Sequence, residues 1–352
     1  MSSRTDTAPA LGFLSGMRAV FRLEMKQRLR SRGWYVLLAV WFVVIGLVAV
    51  LTAVNSASDV GPPGSVLYEL MVGFVLFFGL LLAPALSANA VNGDRAAGTL
   101  AIQQVTLLRP GHLLAGKWLA AWTASLAFLL LSVPFLIWAL ALGGVSAGTA
   151  VVSVVMLALE LAVVCAIGVG ISTLANRPLF SIVVSYMVVA LLGLGTLIAY
   201  GLSFTLTEGT VRASMPSYAH PVFTDEGAEF DPNDYTCSGP VLDYPAYHTE
   251  RTTWILAANP FVIVADAIPS NRDDLQRGLM EEISSSVRAS QAGPEYTVPC
   301  FNGEKQAGLP QVLPIWPLGL FLQAALAAVL VFGARRRLST PAGRLPAGSR
   351  IA

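Results

Sequence analysis

Apolar residues fall along this chain in six long runs, the first five separated by short polar stretches and the sixth set apart by residues 205–313. A helix that crosses the hydrocarbon core of a bilayer needs roughly 20 predominantly apolar residues. The runs at 35–54, 67–91, 113–141, 148–174, 179–204 and 314–333 each supply about that length. Ahead of the first run the pattern changes: Leu14, Met17, Phe21, Met25 and Leu29 recur at steps of three and four, beside a parallel stripe of Arg18, Arg22, Lys26 and Arg30. That combination predicts an amphipathic helix lying in the membrane interface, basic face to anionic headgroups and apolar face to acyl chains, which turns into the bilayer at Ser31-Arg32-Gly33. The plainer alternative is a cluster of charges that only sets topology. The first run starts too far into the chain and continues too long for a secretory signal peptide.

Composition fits this reading. Hydrophobic residues make up 55% of the 352 positions and charged residues 12%, with a mean hydropathy of +0.66, which excludes an ordinary soluble domain. Orientation follows from where lysine and arginine lie. With the N-terminus in the cytoplasm, the basic stripe, Arg95, Arg109, Lys117, Arg177 and the Arg335–Arg337 run all fall inside, and the outer loops at 55–66 and 142–147 carry no lysine or arginine. Residues 205–313 hold 15 acidic and 6 basic side chains, in keeping with an outside location. Both termini are then cytoplasmic.

The expected fold is an all-α integral membrane protein with six transmembrane helices, an N-terminal interfacial helix and a large extracytoplasmic insertion between helices 5 and 6. Its expected divisions are a cytoplasmic segment 1–33, helices 1–5 over 34–204 with an inner loop at 92–117, an extracytoplasmic domain 205–313, helix 6 over 314–333 and a basic cytoplasmic tail 334–352. The apolar stretch 252–268 complicates this count. It carries Pro260 in its middle and Asp266 near its end, and a seventh crossing would strand the Arg335–Arg337 run outside. A half-inserted or interfacial helical pair broken at Asn259-Pro260 satisfies both hydropathy and charge. Within 205–313 the only sustained periodicity is that of a helix over 271–289, and the Pro- and Tyr-containing stretches read as ordered loops.

Candidate chemistry is sparse. Gly111, Gly116 and Lys117 have nearly the spacing of a phosphate-binding loop, but Trp118 stands where a magnesium-ligating hydroxyl is required and no strand precedes the segment. His112, His220 and His248 are scattered, and no CxxC or HExxH pattern points to a metal. No G-x-S-x-G elbow marks a nucleophile. Cys237 and Cys300 share the outer segment, where an oxidising environment favours a disulfide worth about 4 kcal/mol in the chain-entropy model; Cys165 reads as a small packing residue. Glu160 lies near the middle of the fourth run, at a cost of roughly 2.5 to 3.5 kcal/mol if charged and facing lipid. It must face protein or water, beside a substrate or proton path or hydrogen-bonded between helices. Glu69 reads as an interfacial residue. Ala166 and Gly170 allow close helix approach, and Pro84 and Pro134 allow kinks.

The inner loop is the most informative segment. Asp94 can cap a short helix over 95–108, which Arg109-Pro110-Gly111 stops, and Lys117 marks the membrane edge, where its ammonium can snorkel to headgroups. The sequence here resembles the permease subunits of ABC-2-type transporters, through Asp94, Arg95, Gly98, Thr99, Leu100, Leu107, Leu108, Pro110, Gly116 and Lys117 together with the basic helix feeding the first span. Ala101 departs from the family, which commonly places an acid there. The resemblance implies an exporter dimer, of identical or different permease copies, driven by separate ATP-binding cassette subunits that hold ATP and magnesium, with no cofactor on this chain, no nucleic acid partner and membrane lipid around it. It also implies that the loop is a coupling element, with Asp94, Arg95, Gly98, Thr99, Arg109 and Pro110 receiving the partner's motion. Arg109 would offer a fork to a partner carboxylate. The plainer alternative is an ordinary turn whose glycines cap helices. The rival function is a membrane sensor or assembly factor whose 205–313 domain binds an outside ligand; a weaker rival is an enzyme acting on lipid.

The orientation has a direct test in a Cys165→Ser background. A membrane-impermeant maleimide is expected to label Val60→Cys and Phe230→Cys in intact cells, and Val105→Cys and Leu345→Cys only after the membrane is opened.

Overall fold

The computed structural model describes residues 12–56, 63–98, 109–218, 235–269, 278–306 and 312–339. Among the described residues, six helices are long and apolar enough to cross a membrane. They are span 1 (Arg32–Ser56), span 2 (Pro63–Ser87), span 3 (Pro110–Ala141), span 4 (Ala147–Leu174), span 5 (Pro178–Leu206) and span 6 (Trp316–Ser339). Their bounds lie within a few residues of the apolar runs. Span 6 continues six residues beyond its run because arginine is a good helix former, and Arg336 stacks over the Phe332 ring at 4.3 Å. The chain separates into two compact units.

The first unit comprises residues up to Leu191, Ile268–Met280 and Leu320 onward. Spans 2, 3 and 4 are its best-buried helices, and spans 1 and 5 leave most side chains exposed, as expected of surfaces that meet lipid or another subunit. Indole N–H groups fasten the spans by donating to carbonyls of their neighbours. Trp41 of span 1 donates to Phe128 O of span 3 at 3.0 Å, and the stacked pair Trp118 and Trp122 of span 3 donates to Ala162 O and Ala158 O of span 4 at 2.8 and 2.9 Å. With no hydrophobic driving force between helices in lipid, such bonds and close packing carry association. Close approach occurs at Gly168, where a Cβ would overlap the Ser87 side chain, and at Gly170, where it would lie 2.8 Å from Leu330 Cβ. Gly170 thus makes the close approach expected of it, and Gly168 makes a second. Glu69 is not merely interfacial: it accepts the Met280 N–H at 2.9 Å.

The helix Phe13–Arg30 forms as the periodicity predicts, but a different face docks. Gly16, Val20, Glu24 and Arg28, spaced by four, turn toward span 3, leaving Leu14 and Leu29 exposed and Met17, Phe21 and Met25 half-buried. The small Gly16 and the charged Glu24 select this face, and the basic residues Arg18, Arg22, Lys26 and Arg30 remain exposed.

The second unit comprises Leu192–Ala267 and Glu281–Gly319, and here the all-α expectation needs correction. β1 (Glu208–Tyr218) and β2 (Tyr235–Tyr247) form an antiparallel pair with an irregularity between Ala213 and Met215. The short β3 (Cys300–Phe301) and β4 (Glu304–Lys305) complete a sheet of order β2-β1-β3-β4. Stretches read as loops are strands because paired tyrosines and threonines suit a pleated surface even where little is buried. Cys237 of β2 and Cys300 of β3 are joined by a disulfide that closes 63 residues.

The break at Asn259-Pro260 takes the form of a 3₁₀ turn (Thr253–Ala258) and a helix (Pro260–Ala267). Asn259 is fully buried and fully employed. Its Oδ1 accepts the Phe261 N–H at 2.9 Å, and its Nδ2 donates to Gly193 O at 2.7 Å and Thr196 Oγ1 at 2.9 Å. Gly193 lies in a π-turn, Leu191–Gly195, whose widened ladder leaves a carbonyl for another partner. Asp266 is satisfied in the same way, by Arg288 Nε at 3.1 Å and the amides of Ile315 and Trp316 at 2.6 and 3.2 Å. Of the expected helix over 271–289, residues 279–289 are helical and the helix, Leu279–Ala292, continues three residues further; 271–277 lie outside the described residues.

Candidate functional site

Three elements of the first unit meet at Lys117, about two turns into span 3. Its side chain is 1% exposed, and its ammonium pairs with Asp94 Oδ2 at 2.6 Å and with Glu24 Oε1. Glu24 belongs to the N-terminal helix and Asp94 to the short helix Asn92–Ala96 that opens the loop. Two carboxylates around one ammonium leave a negative excess, which Arg28 offsets from one turn beyond Glu24. Its guanidinium donates to Ala120 O and, at 3.2 Å, to Leu86 O. Burial lowers the Arg28 pKa from its ordinary value and the Glu24 carboxylate opposes that shift; the group stays cationic.

Glycine makes the contact possible. A Cβ on Gly116 would lie 2.6 Å from Val20 Cβ and 2.9 Å from Met17 O, and one on Gly16 would overlap the His112 ring. Two helices can cross this closely only with small residues facing each other. His112 is buried, packs edge-on against Phe13 at 5.3 Å, and accepts the Arg109 N–H through Nδ1 at 3.2 Å, closing the first turn of span 3 behind Pro110. The Gly111, Gly116 and Lys117 spacing therefore lies within one helix whose glycine and lysine dock another helix.

The remaining residues of the loop motif have separate tasks. Arg95 donates to Asn92 Oδ1 at 2.9 Å and to Ala175 O at 2.7 Å, tying the short helix to the end of span 4. Ser172 Oγ accepts the N–H groups of Val91 and Asn92 at 3.0 and 3.1 Å, satisfying orphan donors at the start of that helix. Gly98 has φ +71, the left-handed conformation that ends helices and that other residues adopt only at a cost. Arg109 and Pro110 lie at the mouth of span 3, and the Arg109 guanidinium is exposed and makes no side-chain bond among the described residues. Thr99 and the helix expected over the next residues, with Leu100, Ala101, Val105, Leu107 and Leu108, lie outside the described residues. The structure thus brings Asp94 and Lys117 together, with Arg95 and Gly98 following Asp94 in the chain and Arg109 and Pro110 at the mouth of span 3, and overturns the snorkelling expected of Lys117. A lysine with two carboxylates in reach is stabilised better there than by headgroups alone.

A family model described as ABC-2 family transporter protein matches residues 18–336. The chain belongs to the ABC-2 transporter family. No curated protein matches it. As a member of that family with six long apolar helices, it is a multi-pass membrane protein and the membrane component of an ABC transporter. The match begins inside the N-terminal helix and ends in the arginine run of span 6, so the Lys117 cluster of this ABC-2 chain lies wholly within it.

Elsewhere in the bilayer region, Glu160 is wholly buried. Gln323 of span 6 is its polar neighbour, yet neither Glu160 oxygen makes a hydrogen bond of ordinary geometry. It is remote in sequence from every group at the Lys117 cluster. Sequence reasoning missed Glu24, Arg28, His112 and Ser172. Glu24 carried a usable signal, since it is the only acid in Phe13–Arg30 and lies among basic and apolar residues.

Lys117→Met leaves two poorly solvated carboxylates facing each other, and its expected cost is about 3–5 kcal/mol. Neutralising all three groups, as Glu24→Gln/Asp94→Asn/Lys117→Met, is expected to recover most of that loss. The thermal unfolding midpoint of each detergent-solubilised variant, read by tryptophan fluorescence, checks both outcomes.

Proposed function

We propose that this chain is the permease subunit of an ABC exporter in the cell membrane, with both termini cytoplasmic. A separate ATP-binding cassette subunit hydrolyses ATP with its magnesium ion and delivers the motion to loop 92–117. Two permease copies together enclose the pathway, because six helices of such apolar surface leave little room for a polar channel within one. Residues 205–313 lie on the opposite side of the membrane, where an oxidising exterior suits the Cys237–Cys300 disulfide.

One observation carries this reading. Lys117 joins the N-terminal helix, the start of the loop and span 3 through buried ion pairs, so a push on the loop reaches three elements at once. A loop that merely connected two spans would not require a buried lysine with two acids. Arg95 adds the end of span 4 to this block, and the exposed Arg109 offers paired donors to a carboxylate on the partner. Gly98, with nothing near where a side chain would lie, leaves room for the partner to approach. Glu160 is assigned to the substrate path, as the one acid within spans 3 to 6.

The test is co-purification with an ATP-binding cassette subunit, followed by reconstitution of the purified complex. Arg109→Glu is expected to lower coupled ATP turnover about tenfold or more, because it sets like charge against the partner's carboxylate, while the isolated chain keeps its unfolding midpoint. Unchanged turnover in an intact complex would remove the loop from the coupling path.

A further inference from the structure

Beside the Lys117 cluster, the turn between spans 4 and 5 gathers positive charge without matching acids. Arg337 donates to Leu174 O and to Asn176 Oδ1. Arg95 donates to Thr173 O at 3.4 Å and to Ala175 O, close enough to Arg337 for the two cations to repel. Arg177 is exposed and makes no side-chain bond among the described residues. No carboxylate pairs with any of the three among the described residues, since the nearby acids Asp94 and Glu24 are taken by Lys117. Carbonyl partners orient a guanidinium without neutralising it, so Arg177 on the turn, and Arg95 and Arg337 bound to carbonyls at the end of span 4, carry positive charge with no carboxylate partner among the described residues.

The same turn forms the head of a groove of about 570 Å³, lined by Leu174, Asn176, Arg177, Leu179, Phe180 and Val183 among others. Its floor is apolar. Leu179 is 74% exposed and Phe180 60% exposed on the first turn of a helix built to cross a membrane. The amide N–H groups of that turn, behind Pro178, add the positive end of the span 5 dipole. A cationic head and an apolar tail at the end of a span match a ligand of one kind, an anionic amphiphile whose chain already lies in the bilayer.

We propose that this groove binds one anionic phospholipid, with its phosphate held by Arg177 and Arg337 and an acyl chain laid along Leu179, Phe180 and Val183. Charge complementarity selects the occupant. A zwitterionic lipid would bring its own cation against Arg177, which lines the groove, and Arg337, which is bound to its lining residues Leu174 and Asn176, and a free phosphate would leave the apolar floor uncovered. The bound lipid neutralises the repulsion between Arg95 and Arg337, and so stabilises the junction of spans 4, 5 and 6 at this end of the bundle.

Native mass spectrometry of the full chain, released from detergent in the presence of phosphatidylglycerol or phosphatidylcholine with identical acyl chains, tests the assignment. The wild-type chain is expected to retain one phosphatidylglycerol about tenfold more tightly than phosphatidylcholine. Arg177→Gln/Arg337→Gln and the groove-filling Val183→Trp are each expected to lose that preference, while Arg18→Gln/Arg22→Gln, on the exposed basic stripe, keeps it. If the double variant fails to fold, Arg177→Gln alone carries the test, because it breaks no internal side-chain bond. Equal retention of the two lipids, a preference that survives Arg177→Gln, displacement of the lipid by inorganic phosphate alone, or a second copy occupying the groove in place of lipid would each overturn the proposal.

Discussion

An ammonium group with only 1% of its side chain exposed needs anions within reach, and Lys117 has two. Desolvating three charges is costly, and it is offset only when the geometry is close and every partner is present. That requirement makes the cluster a constraint on position. The N-terminal helix cannot slide along span 3 without separating Glu24 from Lys117, and the loop cannot leave without taking Asp94. Gly16 and Gly116 permit the close crossing on which the pairing depends. An apolar contact of the same area would tolerate sliding; a charged one in a poorly solvated site fixes register.

Different ends of the chain solve the same problem by different means. Asp266 is stabilised by a guanidinium and two amides, and Asn259 by an opened π-turn, so both polar groups that interrupt the apolar stretch 252–268 have structural partners. Glu160 stands apart because its oxygens have none of ordinary geometry. Arg95 and Arg337, bound at the end of span 4, stand apart for the opposite reason, having carbonyl partners but no carboxylate partner among the described residues. Groups left incompletely satisfied within a well-packed frame are where binding is to be sought.

Hydropathy and length sufficed for the six spans, because a bilayer imposes one dimension on every crossing. The loop motif also stood out, since Asp94, Gly98, Gly116 and Lys117 are unusual punctuation between apolar runs. The partners of Lys117 did not, because Glu24 is 93 residues distant and no periodicity encodes a contact between separate helices. An apolar stripe suggested which face of the N-terminal helix would be covered, yet a glycine and an acid on the neighbouring face decided it. The hairpin of β1 and β2 escaped notice because few of its side chains are buried, so the alternation that reveals strands is weak. A π-turn leaves no compositional mark at all.

The central claim is that the N-terminal helix, the segment opening the loop and span 3 behave as one body. Spin labels at Arg22→Cys and Ala97→Cys, both exposed positions, report the distance between the first two of these by electron paramagnetic resonance. The account predicts a single narrow distribution that stays unchanged when ATP binds the partner and broadens when Lys117→Met is added. Two distances in the intact chain, or a distribution indifferent to Lys117, would contradict it.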